Sequence, residues 1–449
     1  MRATILLLLY YACVIYTFTN PLFGVLFFVH ITILRPESLV WGNLVFGRLH
    51  FITSLGVLIA YFIKRRSFSN IPLSDYQKNN LFLFFLLIVW LIIVSFLAEE
   101  SKELSFNKTA DLFKIFVLCF LFSKLINTKR GFEAYIWTVS ISFALLGFWG
   151  VMQGILGNTR LDNLWPGGSN YIAAQLALIA PFTLAKTFDP LVSLKRKFSF
   201  FTCFFWIALC CIYTNSRGGF LGLGVSLIAF IFRVKYRVTI SAVMLVFALV
   251  ASPFVPVSYY DRFTSIFAEQ TEQDVSAASR PVLWRIALRI WEDHPIAGVG
   301  LRNFSPVKER YINKVDDIVT SEEMSELIFN QPRFPHGLYP GMIAETGLVG
   351  LSLFLILLFR NIFSQFPAAF AQSQSGLYLQ MRGAQAGLIG FAVAAVFGDF
   401  QYIELVYLQL FFVSSVRGYI DSLASDDSMD NCNKMLSVYS QRRMSVNKA

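Results

Sequence analysis

The sequence predicts an all-α, polytopic membrane protein, and three observations support this fold class. Hydrophobic residues make up 56% of the 449 residues and only 15% are charged, whereas about a quarter of the residues of a soluble domain are charged. Several apolar stretches reach or approach the ~20 residues that a spanning helix needs. Basic residues flank alternate stretches, as expected of cytoplasmic loops. The alternating strands of an outer-membrane barrel are not seen in the sequence.

Twelve membrane crossings are predicted, with both termini in the cytoplasm. The first follows Met1-Arg2, and we interpret it as a retained helix rather than a cleaved signal peptide because further spans follow it. If Met1-Arg2 and Lys64-Arg65-Arg66 are both cytoplasmic, residues 21–48 cannot add a full crossing, so we expect a re-entrant or interfacial segment there. The predicted crossings are residues 3–18, 51–63, 81–97, 112–125, 134–155, 171–187, 200–213, 220–232, 238–257, 338–359, 383–397 and 402–416.

This topology divides the chain into four parts: a bundle of about nine spans (1–257), a large outer-face, periplasmic loop with amphipathic helices (258–337), C-terminal spans (338–420) and a basic cytoplasmic tail (421–449). The loop holds 9 Lys or Arg and 12 Asp or Glu, a net charge of −3. Because the whole chain carries +10, the rest of the chain carries +13. Much of that excess lies in short inner loops and the tail. The positive charge therefore indicates membrane topology and not a nucleic-acid partner.

The outer loop contains a predicted amphipathic helix. Ser279-Arg280-Pro281 is typical of a helix start, and the helix should end near Asp293-His294-Pro295. Gly298-Val299-Gly300 is then expected to form a turn. An apolar stripe at i, i+4 and i+7 is formed by Trp284, Leu288 and Trp291. This stripe suits a helix lying on the outer leaflet or over a cavity, and it equally suits a helix packed on a soluble face.

The most unusual polar stretch is Ser216-Arg217-Gly218-Gly219, which separates the apolar runs 200–213 and 220–232. An arginine in hydrocarbon costs about 3 kcal/mol or more, so such residues usually line an aqueous cavity or bind an anion. The glycines predict a tight reversal, and the following helix would direct its N-terminal N–H groups at whatever Arg217 faces. This arrangement suits a phosphate or diphosphate. The alternative is an arginine that snorkels to the membrane interface.

Two further residues near the end of the outer loop are candidates for chemistry. His336 is predicted at a membrane mouth on the face of Arg217, where an imidazole can donate or accept a proton near neutral pH; a purely structural histidine is the alternative. Glu345 lies in apolar sequence and needs a partner or water, so it could orient His336, pair with an arginine or stabilise the bundle. Asp399 and Glu404 flank an outer turn, and we expect both to be solvated.

Several chemistries are not indicated by the sequence. The six cysteines and four histidines show no spacing typical of zinc ligands, and no nucleotide-binding glycine loop is present. Paired carboxylates at glycoside-hydrolase spacing do not stand out. We therefore expect no metal and no cofactor.

The distinctive residues together resemble the O-antigen ligase and O-antigen polymerase superfamily, over about residues 160–360. The motifs that carry this resemblance are Ser216-Arg217-Gly218-Gly219, Arg280 with Trp284, the run from His294 to Phe304, and His336 with Glu345-Thr346-Gly347-Leu348-Val349-Gly350. Residues 35–42 also resemble the O-glycosylation ligases that accompany exosortase systems. Many relatives have Asn after the histidine, where this chain has Gly337.

The resemblance implies a metal-independent glycosyltransferase on the periplasmic side of the bacterial inner membrane. It would transfer a glycan from an undecaprenyl-diphosphate carrier to a glycan, lipid or protein acceptor, as in lipopolysaccharide or exopolysaccharide biosynthesis. Arg217 and Arg280 would bind the diphosphate, with Arg160 as a further candidate, and His336, Arg217 and Glu345 would act in catalysis. A repeat-unit polymerase of the same superfamily and, from another class, a flippase or transporter of lipid-linked glycans are the alternatives.

Overall fold

The computed structural model describes residues 2–35, 49–65, 72–157, 168–255, 275–312, 334–366, 370 and 376–425. Within these ranges the chain forms helices joined by turns, and it contains no strand. The predicted all-α class is therefore confirmed for this part of the chain.

In the described part of the chain, ten helices precede residues 258–337, and six lie within and after that segment. The first ten are α1 (Arg2–Thr19), α2 (Pro21–Leu34), α3 (Leu49–Ile63), α4 (Asp75–Phe96), α5 (Lys102–Leu125), α6 (Lys129–Ile155), α7 (Gly168–Thr187), α8 (Leu194–Tyr213), α9 (Arg217–Arg233) and α10 (Arg237–Ala251). The others are α11 (Val275–Asp293), α12 (Phe304–Val307), α13 (Glu309–Ile312), α14 (Leu338–Ile362), α15 (Gly376–Ala394) and α16 (Glu404–Ser425). Short 3₁₀ turns extend α10 over Ser252–Phe254 and α15 over Ala395–Phe397.

Most of each predicted crossing coincides with one of these helices, but length and composition alone support fewer spans among the described residues. The helices long and apolar enough to cross a membrane are Asp75–Phe96, Lys129–Ile155, Leu194–Tyr213, Arg237–Phe254 and Leu338–Ile362. The apolar parts of α1, α2 and α3 are shorter than these and cover Thr4–Thr19, Pro21–Leu34 and Leu49–Ile63. The count of twelve crossings therefore stays a prediction, as does the assignment of residues 258–337 to the outer face.

Several helices begin before the apolar runs that predicted them, because polar caps extend them. Ser74 and Gln77 form a reciprocal capping box at the start of α4. The Ser101 hydroxyl accepts the N–H of Leu104 at 3.2 Å at the start of α5. Hydropathy alone does not register these caps, since cap residues are polar.

The segment predicted to re-enter the membrane contains α2, which packs against α1, α3 and α6. Its 14 residues correspond to about 21 Å of helix, which is shorter than the ~30 Å hydrocarbon core. Residues 36–48 lie outside the described part of the chain. The re-entrant assignment therefore stays a prediction.

Helix α7 lies at the centre of the bundle. It is buried from Ile172 to Lys186 and packs against α8, α9 and α15. A helix that is apolar on all sides is expected in such a position. The other helices of the bundle are arranged around α7.

Glycines allow α7, α9 and α15 to approach closely. A Cβ added at Gly387 on α15 would lie 1.9 Å from the carbonyl oxygen of Leu178 on α7. Gly222 on α9 and Gly390 on α15 face each other, and a Cβ on Gly222 would lie 2.7 Å from the carbonyl oxygen of Gly390. Small residues commonly permit such close packing of membrane helices.

Helix α14 is interrupted at Gly347, whose backbone is non-helical at φ 65° and ψ −171°. The carbonyl groups three and two residues before Gly347 accept the N–H groups of Val299 and Gly300 at 2.9 and 3.0 Å. The outer-loop segment 295–300 thus satisfies backbone groups that the break exposes. The turn predicted at 298–300 is confirmed, since Gly298 and Gly300 have φ 65° and 104°.

Helix α11 corrects two sequence predictions. It begins at Val275 and carries Pro281 within it, so Ser279-Arg280-Pro281 is not its first turn; its end at Asp293 is as predicted. The buried stripe consists of Val282, Leu283, Ile286, Ala287 and Ile290. The predicted Trp284–Leu288–Trp291 stripe lies beside it, and Leu288 is exposed. Both stripes have helical periodicity, and contact with α14 selects the aliphatic one.

Candidate functional site

Arg217 is the first residue of α9, in a turn built by polar side chains. Ser216 caps the helix, because its hydroxyl accepts the N–H of Gly219 at 3.2 Å and donates to the side-chain oxygen of Asn170 at 2.7 Å. The tight reversal predicted from the glycines is instead made by Asn215, which has φ 52°. Arg217 is half-buried. It lies beside the N-terminal N–H groups of α9, which favour an anion.

The glycines after Arg217 serve in packing and not in the reversal. A Cβ on Gly218 would lie 2.8 Å from the Cβ of Phe397, so α9 fits directly against the 3₁₀ turn that follows α15. The Arg280 guanidinium lies over the ring of Phe397, with its Cζ 5.9 Å from the ring centroid. Phe397 therefore connects Arg280, from the outer loop, with the start of α9.

His336 immediately precedes α14 and has a left-handed backbone, at φ 50°. The indole N–H of Trp284 donates to the carbonyl of Pro335 at 2.9 Å, which fixes the residue before the histidine. Gly337 is enclosed: a Cβ there would lie 2.9 Å from the carbonyl oxygen of Val396 and 3.1 Å from Nε1 of Trp284. This packing explains why the chain has no side chain at the position where many relatives have Asn.

The turn Ala395–Phe397 consequently contacts both halves of the site. Its Val396 carbonyl lies against Gly337, next to His336, and its Phe397 ring lies against Gly218, next to Arg217. Two residues that are far apart in the sequence are thereby tied to one short turn.

Asp399 corrects a sequence prediction, because its carboxylate is not solvated. Its Oδ1 atom is buried, and the backbone N–H groups of His336 and Gly337 donate to the carboxylate. Burial raises the pKa of Asp399 from 3.8 to about 7, although attraction from Arg302 and the two N–H groups oppose this rise. Asp399 holds the backbone of the candidate catalytic histidine.

Arg302 is a second residue that the sequence analysis did not single out as part of the site. Its backbone is left-handed, at φ 61°. Its guanidinium lies 4.2 Å from the ring centroid of Phe334 and 5.3 Å from that of Tyr402. It also attracts the carboxylates of Asp399 and Glu345. The sequence signal that could have identified Arg302 is its position within the run 294–304, one of the motifs of the family resemblance.

Glu345 is buried, with 2% of its surface exposed, and it faces the Arg302 loop. Its carboxylate accepts the backbone N–H groups of Arg302 and Phe304 and lies in the field of the Arg302 guanidinium. Of the roles considered from the sequence, pairing with an arginine therefore matches the geometry. Glu345 and Asp399 both interact electrostatically with the Arg302 guanidinium.

The structure thus joins most of the predicted residues through a few contacts. Phe397 contacts Arg280 and Gly218, the residue after Arg217. Asp399 accepts the backbone N–H of His336, and both Asp399 and Glu345 interact electrostatically with Arg302. Arg160 lies outside the described residues, as do residues 36–42 of the second resemblance. Within the described ranges, no group of three or more His, Cys, Asp or Glu side chains is placed to hold a metal ion.

Two family models match parts of the chain. Residues 202–355 match the family model described as O-antigen ligase. This range begins in α8 and includes Arg217, Arg280, His336 and Glu345. Residues 1–163 match a family of unknown function, DUF5935. No curated protein matches the chain.

The match covers the segment that resembles this family in its motifs, and it coincides with the arginines and histidine that the fold brings to one end of the bundle. Those two lines of agreement support a membrane enzyme of the O-antigen ligase and polymerase type. The match over residues 202–355 thus supports assignment of this part of the chain to the O-antigen ligase superfamily.

Proposed function

We propose that this protein is a ligase that transfers a glycan from an undecaprenyl-diphosphate carrier to an acceptor hydroxyl. The reaction would take place on the periplasmic face of the inner membrane. The observation that carries the proposal is the turn Ala395–Phe397, which packs against the residues next to Arg217 and next to His336. One half of the site would bind the leaving diphosphate, and the other half would take the proton from the acceptor hydroxyl that attacks the same anomeric carbon.

The leaving group is the diphosphate, and the proposal assigns it to Arg217 and Arg280. Guanidinium groups bind phosphate oxygens through two parallel hydrogen bonds. The N-terminal N–H groups of α9 add fixed partial positive charge beside Arg217. Charge that develops on the diphosphate as the bond breaks would be stabilised by these preorganised groups. Arg160 is proposed as a further contact to the donor.

The acceptor side is assigned to His336. In the proposed step, the acceptor oxygen attacks the anomeric carbon and forms the new glycosidic bond. The bond between that carbon and the diphosphate oxygen breaks, and its electron pair leaves on the diphosphate. The proton of the acceptor hydroxyl passes to the imidazole of His336. No nucleotide sugar and no metal ion enter this step.

Two carboxylates would keep these groups in place. Asp399 accepts the backbone N–H groups around His336, and Glu345 accepts those of the Arg302 loop. Arg302 interacts electrostatically with both carboxylates and contributes a third guanidinium near His336. Glu345 is therefore proposed as a positioning residue, acting on the catalytic groups through Arg302.

Purified variants test the proposal. We expect Arg217→Ala to lower glycan transfer by roughly 10²–10³-fold, because a preorganised charge contact is lost, and His336→Ala to lower it by roughly 10²–10⁴-fold. Both proteins should insert into membranes normally. Arg289→Ala is the matched control, since Arg289 is exposed and pairs with Glu292 at 2.7 Å. Wild-type transfer rates in either site variant would refute the assignment.

A further inference from the structure

A cavity of about 750 Å³ lies beside the candidate site, between α3, α5 and the start of α16. This volume is within the range of ligand-binding cavities, about 300–1,000 Å³. Nothing in the proposed transfer step uses the residues that line it. The polar members are His50, Ser54, Lys108, Asp111, Lys114 and Glu404. The aromatic members are Phe28, Phe51 and Tyr402.

The charges in this cavity are balanced, unlike those of the arginine site. The Asp111 carboxylate accepts hydrogen bonds from the ammonium groups of both Lys108 and Lys114, at 3.0 Å each. Glu404, which is half-buried, adds a second carboxylate to the lining. Two cations and two anions do not favour a diphosphate, and partly exposed pairs of this kind contribute little to stability.

The chemistry of the lining instead fits a saccharide. Carboxylates accept hydrogen bonds from sugar hydroxyls, and the ammonium groups of Lys108 and Lys114 donate to ring and hydroxyl oxygens. The ring of Phe51, which is half exposed, offers an apolar surface to the C–H face of a sugar ring. Mixed lining of this kind, with aromatic walls and a few placed polar groups, is typical of sites for small organic ligands.

Tyr402 connects this cavity with the candidate catalytic groups. The Lys108 ammonium lies 5.3 Å from the centroid of its ring, and the Arg302 guanidinium lies at the same distance. Arg302 in turn attracts Asp399, whose carboxylate holds His336. An occupant of the cavity would therefore be linked to His336 through Tyr402, Arg302 and Asp399.

We propose that the cavity between α3, α5 and α16 binds a short, uncharged saccharide segment of the acceptor. The identification of the bound saccharide as the acceptor rests on the proposed function. The existence of a saccharide site does not. The proposal assigns a role to residues in the 1–163 family match, together with Tyr402 and Glu404, which lie outside both matched regions. The diphosphate would be held by arginines, and the acceptor glycan by a charge-balanced cavity.

Direct binding tests the site without any transfer reaction. The protein, in lipid nanodiscs, would be titrated with maltotriose as a neutral probe, with trigalacturonate as an anionic one and with inorganic pyrophosphate. We expect wild type to bind maltotriose saturably and more tightly than it binds either anion. Maltotriose binding should weaken at least tenfold in the Asp111→Asn, Glu404→Gln double variant. Arg289→Gln, altered on an exposed face, should bind as wild type does. Equal maltotriose binding by wild type and the double variant, or none by either, would overturn the site.

Kinetics separate this inference from the proposed function. If transfer occurs, the double variant should raise the KM for a glycan acceptor at least tenfold and leave the KM for the lipid-linked donor within about twofold. An unchanged acceptor KM would refute the acceptor assignment while transfer itself stands. Saturable, Asp111-dependent binding of maltotriose without any transfer would refute the proposed function and leave the saccharide site standing.

Discussion

Replacement of Gly337 by Ala tests the packing that surrounds His336. The added Cβ would lie 2.9 Å from the carbonyl oxygen of Val396, 2.9 Å from Cγ of Pro340 and 3.1 Å from Nε1 of Trp284, whereas ordinary contacts begin at 3.4 Å. At least one neighbour must therefore move by about half an ångström. Overpacking of this degree costs about 1–3 kcal/mol, and loss of the Trp284–Pro335 hydrogen bond would add about 1 kcal/mol.

The functional effect should exceed the loss of stability. Val396 belongs to the turn that also contacts Gly218 beside Arg217, so its displacement changes the spacing between the two halves of the site. A shift of about 1 Å in a catalytic group can cost roughly 100-fold in rate. We therefore expect Gly337→Ala to retain a cooperative thermal unfolding transition in detergent and to lose at least tenfold in transfer.

Gly224→Ala provides the control, because a Cβ at Gly224 meets nothing within 4 Å. That variant should be as stable as wild type or slightly more stable, since alanine favours a helix interior over glycine. Gly337→Asn, which introduces the residue of many relatives, should behave at least as badly as Gly337→Ala. Wild-type stability and activity in Gly337→Ala would show that this packing argument is wrong.

Three further predictions concern the bundle and its charges. Gly387→Ala should strongly reduce the yield of folded protein, judged by size-exclusion chromatography, because its Cβ would lie 1.9 Å from the Leu178 oxygen; a normal yield would contradict the helix contact. Lys186→Ala should lower the free energy of unfolding by about 3–5 kcal/mol, since it leaves the buried Asp189 carboxylate, 2.8 Å away, without its partner; a change below about 1 kcal/mol would count against the buried pair. Because burial raises the pKa of Asp399 from 3.8 to about 7, the folded protein keeps a proton that the unfolded chain releases. Wild type should therefore lose stability relative to Asp399→Asn as the pH rises between those values, by up to about 1.4 kcal/mol per pH unit; thermal unfolding of both proteins across this range measures the difference, and parallel curves would refute the raised pKa.

Much of the helical framework could be predicted from hydropathy. Long apolar runs identify helices well, whereas their starts depend on polar caps such as Ser74 and Ser101, which hydropathy does not register. The break at Gly347 could not be predicted from the local sequence. The carbonyl groups that it exposes are satisfied by N–H groups of residues 299 and 300, which are distant in the sequence.

The candidate site was predictable in part for similar reasons. Arg217, Arg280, His336 and Glu345 stand out because charged or titratable groups are conspicuous in or beside apolar sequence. Asp399 could not be identified in this way, because its importance comes from accepting N–H groups of residues about sixty positions earlier. A carboxylate in a turn is usually solvated, and only the packing of α14 against the Ala395–Phe397 turn changes that expectation.

The alternatives differ in what they require of these residues. A repeat-unit polymerase would use the same arginines and would differ only in its acceptor, a second lipid-linked glycan. A flippase would need the cations for passage of the diphosphate and would require no acceptor. Dependence of donor cleavage on the acceptor therefore separates transfer from transport.

The most direct test of the central claim is the release of undecaprenyl diphosphate from a lipid-linked glycan by purified protein, with candidate acceptors added one at a time. The account predicts release by wild type only when a suitable acceptor is present, formation of one glycosidic product per carrier released, and neither with Arg217→Ala. Absence of release with every acceptor, together with movement of the glycolipid across a liposome membrane, would contradict the account and make Arg217 a transport residue.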